Sequence, residues 1–295
     1  MVLYHVPVLV QEVIAWLLHR PDGVYCDATA GTGGHTLALL EALGPKGRVV
    51  SLDQDPVTLE VARERLGDQG GRVRFHRASF SHLDDVRRAE GLAAFDGVLV
   101  DLGLNTYTLS RPEAGQSYLF DAPLDMAVDP DVPCNAAEYL ARVGEAELAD
   151  VFYRFGDLRK ARLYARRIAS ARQRQPIHTT FDLVRAVTGD RGPLAPAELS
   201  RIFQAIRVVV LQEQERLEQL LDGLPDWVAP GGRVAIISYA SHEDRLVKRK
   251  LHSTKGPSAA FLPLSKRPIV PGPEEIASNR RARSAKLRVF ERTGA

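Results

Sequence analysis

The stretch Asp27-Ala-Thr-Ala-Gly31-Thr-Gly33-Gly34-His35 decides the fold. It follows an apolar run, Gly23-Val-Tyr-Cys26, and precedes a helix-like segment, Thr36-Leu-Ala-Leu-Leu-Glu-Ala-Leu43. A strand, a glycine turn and a helix in that order form the opening unit of a nucleotide-binding α/β sheet. The glycines permit a sharp turn and let a cofactor approach the backbone where a Cβ would otherwise stand. An acidic residue just before the turn suits a cofactor carrying positive charge and disfavours phosphate. The Lys-Ser or Lys-Thr pair that completes a phosphate-cradling P-loop is missing after the glycines.

Outward from this turn, Gly47-Arg-Val-Val-Ser-Leu52 reads as a second strand ending in Asp53, 26 residues beyond Asp27. A carboxylate at that tip is placed to accept hydrogen bonds from ribose hydroxyls, which serves NAD and S-adenosylmethionine equally well. Pro56–Leu66 is expected as a helix with proline at its start, where a missing N–H costs nothing. Arg72–His76 alternates as a third strand. The loop after it carries Phe80, a flat surface on which an adenine ring can stack. Phe95–Asp101 reads as a buried fourth strand that delivers Asp101 to the carboxyl edge of the sheet, where ligands and chemistry sit in open α/β folds. A carboxylate there can hold a cofactor amino group or a substrate amine. Before the first strand, residues 5–19 show helical spacing after Pro7, with His5 and Pro7 near the cofactor side.

The alternation then breaks. Residues 106–200 show helix-like segments over 135–149, 147–155, 158–173 and 181–188, and no strand, which reads as an inserted helical domain. The core, residues 1–105 and 201–295, is expected to resume through a long helix over about 196–224, with Arg201, Gln204 and Arg207 on its polar side. Gly231–Ser238 follows as a fifth strand, then the polar loop Tyr239–Arg245, a helix over 245–251 and a last strand over 285–291.

The chain has 295 residues, 45% hydrophobic and 26% charged, as expected for a globular protein with a large core. Two cysteines, Cys26 and Cys134, without CxxC spacing argue against a zinc ribbon or disulfide scaffold and favour a reducing, cytoplasmic home, with no metal expected. No leader pattern opens the sequence, and no apolar run approaches the ~18 residues of a membrane span. The net charge of +2 hides segregation. Thirteen Lys or Arg face three Glu from Arg245 onward, and the run Arg154–Arg174 holds eight basic residues and one Asp. Two such runs flanking a cofactor fold favour a polyanionic partner.

The blocks His5-Val-Pro-Val-Leu, Asp27-Ala-Thr with Gly33-Gly34-His35, Asp53-Gln-Asp55-Pro56, Asp101-Leu-Gly103, Pro123-Leu-Asp-Met126, Phe203-Gln-Ala-Ile-Arg207, Ala229-Pro-Gly-Gly232, Glu243–Arg249 and Arg281–Arg288 occur in one order along almost the whole chain. In that order they resemble the bacterial small-subunit (16S) rRNA cytosine-N4-methyltransferases, within the class I S-adenosylmethionine-dependent methyltransferases. The resemblance implies a Rossmann-like α/β methyltransferase sheet with an inserted helical domain that helps recognise RNA. It implies S-adenosylmethionine as cofactor and a cytidine in the decoding region of 16S rRNA, within the small ribosomal subunit, as target. Cofactor contacts carry over onto Gly33, Gly34, His35, Asp53, Phe80, Asp101 and Thr108, where the family usually has Gln. The chain departs from the family pattern at Leu104–Ser110, Ala127–Asp129, Val210–Glu213 and Tyr239–His242.

Methyl transfer by this route is an in-line displacement by the amine nitrogen, without metal or covalent intermediate. Acceptors from Asp101 and Asn105 would hold the amine N–H groups, the base would leave its stack, and Arg166, Arg167, Arg245 and Lys248 would grip phosphates. The alternatives are a divergent member with another RNA target and a ribosome-assembly or RNA-binding protein that has lost transfer. Pro133-Cys134 resembles the nucleophile pair of cytosine-C5 methyltransferases but lies well past the fourth strand. An NAD oxidoreductase lacks an evident hydride-transfer site.

Overall fold

The computed structural model describes residues 6–103, 106–189, 192–252 and 260–294. His5 and Asn105, both singled out in the sequence, lie outside the described residues. The chain divides into two compact units, one of residues 1–105 with 216–295 and the other of residues 106–215.

The first unit is built on a seven-stranded sheet of β1 (Val24–Asp27), β2 (Arg48–Asp53), β3 (Val73–Arg77), β4 (Phe95–Asp101), β5 (Val228–Ser238), β6 (Phe261–Pro263) and β7 (Lys286–Arg292). Their order is β3-β2-β1-β4-β5-β7-β6. The first five strands pair in parallel, and β7 runs antiparallel to both β5 and β6. β4 is apolar almost throughout because a parallel strand in the middle of a sheet is covered on both faces. Successive residues accordingly enter opposite cores. Cys26, Val98, Val100 and Ile236 lie in one cluster, Tyr25, Leu99, Ala235 and Ile237 in the other.

Helices α1 (Val10–Leu17), α2 (Gly34–Ala42), α3 (Pro56–Leu66) and α4 (Leu83–Ala89) connect and cover the early strands. α1 and α2 supply Val13, Leu17, Leu39 and Leu40 to the second cluster. Asp55 caps α3 by accepting from the Val57 and Thr58 N–H groups and from the Thr58 hydroxyl, with Pro56 at the first helical position. β5 begins before the glycines, at Val228. Its register against β4 jumps from Phe95↔Val228 to Gly97↔Arg233, so Ala229-Pro-Gly-Gly232 forms an irregular loop in the strand rather than a turn leading into it.

The inserted unit contains α5 (Thr106–Ser110), α6 (Ala136–Arg142), α7 (Glu145–Gly156), α8 (Ala161–Arg174), α9 (Thr180–Thr188) and α10 (Pro196–Val210) around one apolar core that includes Phe152, Tyr164, Ile168, Ile202 and Ile206. Capping boxes start α6 (Asn135 with Glu138) and α9 (Thr179 with Asp182). Two arginines of the basic run serve as caps as well. Arg172 donates to the carbonyls of Leu140 and Val143 at 2.6 Å each, and Arg167 donates to the Val187 carbonyl.

Three expectations need correction here. The long helix over 196–224 is two helices, α10 and α11 (Glu213–Trp227), separated at Leu211–Gln212, where Gln212 takes φ 52°. Arg207 is not on a polar face. It is buried and forms a two-pronged ion pair with Glu213 (2.6 and 3.0 Å) across the break. The inserted unit also runs on to residue 215 instead of ending at 200, because α10 packs against α6 and α7 and its apolar face belongs to their core. α11, α12 (Ser241–His252) and α13 (Pro273–Ser278) complete the first unit.

Candidate active site

The carboxyl ends of β1, β2 and β4 bring the glycine turn, Asp53 and Asp101 together in the first unit. Asp27 ends β1 with no exposed surface. Its Oδ2 accepts from the Thr36 hydroxyl at 2.7 Å, and its Oδ1 from the Thr29 N–H at 3.3 Å. The Thr36 hydroxyl also meets the Ser51 hydroxyl at 3.0 Å. Burial pushes the Asp27 carboxyl up from its ordinary value. The residue therefore fastens β1 to α2 and β2.

The glycines have equally local reasons. Gly33 takes φ 80°, and a Cβ there would lie 2.4 Å from Leu66 Cδ1 on α3. A Cβ on Gly34 would lie 3.0 Å from the Pro7 ring, so Pro7 rests on the turn. Gly31 donates its N–H to Asp53 Oδ2 at 2.8 Å, and the Asp55 N–H reaches Asp53 Oδ1 at 2.9 Å. Burial pushes the Asp53 carboxyl up to about 7 against the two N–H bonds, which pull it down. Each oxygen keeps a second lone pair for an incoming hydroxyl. Ala78, after β3, donates to the Asp53 carbonyl at 3.1 Å, and this fixes the loop in which Phe80 stands half-buried against the core.

Asp101 is held through its backbone, whose N–H donates to Thr29 Oγ1 at 2.7 Å. Its Oδ2 faces His35 Nδ1 at 3.6 Å. Its Oδ1 is buried and has no hydrogen-bond partner among the described residues. Burial raises the carboxyl to about 6, while the His35 ring and the Tyr239 hydroxyl hold it down and Asp27 pushes it further up. His35 is itself buried, with Nε2 at 2.9 Å from the Val8 carbonyl. Tyr239 follows β5 on a turn whose Tyr239 and Ala240 N–H groups both donate to Glu243 Oε2, at 2.9 and 3.0 Å.

Of the residues singled out in the sequence, Gly33, Gly34, His35, Asp53, Phe80 and Asp101 lie in the first unit. Thr108 is buried in α5, in the inserted unit. Sequence reasoning missed Thr29 and the carboxylate-facing role of Tyr239. Asp27-Ala-Thr29 gave a signal for the first, since a threonine two residues past a strand end can accept from the neighbouring strand. Nothing local marks the second.

A sheet with its seventh strand reversed between the fifth and sixth, and with carboxylates at the tips of its second and fourth strands, defines a class I methyltransferase. The profile of the MraW methylase family matches residues 2–293, and the chain belongs to that family. Among curated relatives it is 43% identical to the ribosomal RNA small subunit methyltransferase H of Cyanothece sp., over 99% of this chain and 95% of that protein. The protein of the same name from Sorangium cellulosum is 42% identical over 98% of this chain and 91% of its own length. That from Rhodopseudomonas palustris is 42% identical over 99% and 91%.

Proposed function

We propose that the protein transfers a methyl group from S-adenosylmethionine to the N4 amine of a cytidine in the decoding region of 16S rRNA, in the cytoplasm. The observation that carries this reading is Asp101 Oδ1, a buried acceptor without a hydrogen-bond partner among the described residues, at the carboxyl edge of a methyltransferase sheet. A buried acceptor left unsatisfied is costly unless a ligand donor meets it.

The residues present fit the cofactor. Asp53 has lone pairs for ribose hydroxyls, Phe80 would stack on adenine, and the turn at Gly33–His35 would receive the amino-acid end, whose ammonium group the Asp101 carboxylate favours. S-adenosylmethionine, when bound, supplies a methyl group on a positively charged sulfur. The protein's part is to hold the acceptor. Asp101 Oδ1 would accept an N–H of the target amine and so favour the geometry in which the nitrogen lone pair is withdrawn from ring conjugation. The Asp101 carboxylate would take the proton that the amine nitrogen sheds on methylation. Asn105 remains the second candidate acceptor. Arg162 and Arg166 on α8 and Arg245 and Lys248 on α12 are exposed and suit RNA phosphates.

The test is to incubate the purified protein with labelled S-adenosylmethionine and undermethylated small ribosomal subunits, then digest the rRNA and identify the labelled nucleoside. Label in N4-methylcytidine is expected, and its loss in Asp101→Asn at saturating cofactor. Label in another nucleoside would overturn the assigned acceptor atom.

A further inference from the structure

His35 stands between two fixed partners. On one side its Nε2 lies 2.9 Å from the Val8 carbonyl oxygen, which can only accept, so Nε2 carries the hydrogen. On the other side its Nδ1 lies 3.6 Å from Asp101 Oδ2, and both groups are nearly enclosed. A bare Nδ1 lone pair would face a carboxylate there. The contact is attractive only when a proton lies between them.

The Val8 carbonyl is not free to drift. The Leu9 N–H donates to Glu275 Oε1 at 2.7 Å, the Asn279 side chain donates to the Val6 carbonyl at 3.3 Å, and Pro7 packs on Gly34. The segment Val6–Leu9 is thereby held at both ends by the α13 region, and the ring orientation of His35 is set by it.

We propose that His35 is a positioning residue. Anchored by Nε2–H to Val8, it keeps a proton on the Nδ1 side against Asp101 Oδ2, and so reserves Oδ1 as the oxygen that receives the ligand. It acts through Asp101 and not by touching the reacting atoms. The inference rests on the methyl-transfer reading for its consequence in catalysis, but not for the pairing itself. The groups facing the Asp101 carboxylate are His35 from α2, Asp27 from β1 and Tyr239 from the turn after β5, with Glu243 and Glu275 bearing on Tyr239. His35 is the only one of these five that is able to take a positive charge.

The test uses the cofactor-free full chain. Carbon-13 carboxyl NMR follows the Asp101 titration in the wild type and in His35→Gln, which retains a donor in the Nε2 position for Val8 and removes Nδ1. The Asp101 midpoint is expected to rise by about one pH unit in His35→Gln, and the acid limb of kcat for methyl transfer is expected to follow it, with KM for the cofactor changed less. An unchanged Asp101 midpoint would overturn the proposal. Nitrogen-15 NMR of wild-type His35 provides a second measurement that needs no variant. A hydrogen on Nε2 throughout, with Nδ1 responding as Asp101 titrates, supports the pairing, whereas a bare Nε2 overturns it. Failure of the wild type to methylate rRNA would count against the proposed reaction, while the two NMR readouts would still decide the pairing.

Discussion

Gly31 donates its backbone N–H to Asp53 Oδ2 at 2.8 Å, so the carboxylate that ends β2 also holds the apex of the turn after β1. The residue that would receive the ribose and the loop that would receive the amino-acid end of the cofactor are thus one hydrogen-bonded piece.

Cofactor affinity is expected to depend on that carboxylate being ionised. Asp53 titrates at about 7, so affinity for S-adenosylmethionine should fall as pH drops through 7, by up to about tenfold per pH unit. Asp53→Asn should bind about ten- to a hundredfold more weakly at pH 8 and lose this pH dependence. Calorimetric titration from pH 5.5 to 8.5 measures both.

The same group has an opposite effect on the stability of the cofactor-free protein. Its folded pKa is raised, so the folded state binds the proton more tightly than the unfolded state, and stability falls as pH rises through about 7. Relative to the wild type, Asp53→Asn should therefore gain Tm between pH 5 and pH 8. Thermal melts at both pH values check the sign, and a gap that stays constant would contradict the raised pKa.

Gly33→Ala is expected to destabilise the first unit by about 1–3 kcal/mol, because φ 80° is strained for any residue with a Cβ and that Cβ would overlap Leu66 Cδ1. Adding Leu66→Ala should not restore stability. The backbone strain would persist and a cavity would be added. Denaturant unfolding of the two variants tests this.

Thr36→Val leaves Asp27 Oδ2 buried without its 2.7 Å donor. The expected cost is about 1–3 kcal/mol of stability. Cofactor affinity should be little changed at temperatures where the variant is folded, since Asp27 turns its oxygens inward. A large loss of affinity without a loss of Tm would return Asp27 to the binding site.

The basic run should split into two classes of variant. Arg172→Ala removes the cap on the Leu140 and Val143 carbonyls and should lower stability by about 1–2 kcal/mol. Arg162→Ala with Arg166→Ala, both exposed, should leave the melt unchanged and weaken RNA binding. It should also reduce the slope of log affinity against log salt by about one to two units. Binding measured at several salt concentrations separates the classes.

Several features were legible because they are local. Strand, glycine turn and helix around Asp27–His35 follow from residue order, and α3 spans Pro56–Leu66 as expected, with Pro56 setting its start, while the structure places its C-cap at Gly67. The break at Leu211–Gln212 was not legible. Nothing in Val208–Glu215 breaks a helix by propensity. The break becomes stable when Arg207, six residues earlier, pairs with Glu213 across it and α10 stays with the core of α6 and α7. Charge counting likewise could not tell that Arg167 and Arg172 are spent on carbonyls, since a helix face is assigned only when its neighbours are in place.

The sequence by itself determined which residues end the strands, Asp27, Asp53 and Asp101, because hydrophobic runs and turn residues are read along the chain. Only the tertiary structure decided what each carboxylate does. Asp27 is consumed by Thr36 and Thr29, Asp53 is shared with Gly31 and Asp55, and Asp101 keeps one buried oxygen without a hydrogen-bond partner among the described residues. These differences arise from donors on other strands and helices, from His35 oriented by Val8, and from burial that raises all three pKa values. Desolvation and hydrogen bonding depend on the surroundings of each group in space, and three aspartates at equivalent strand ends become chemically distinct only there.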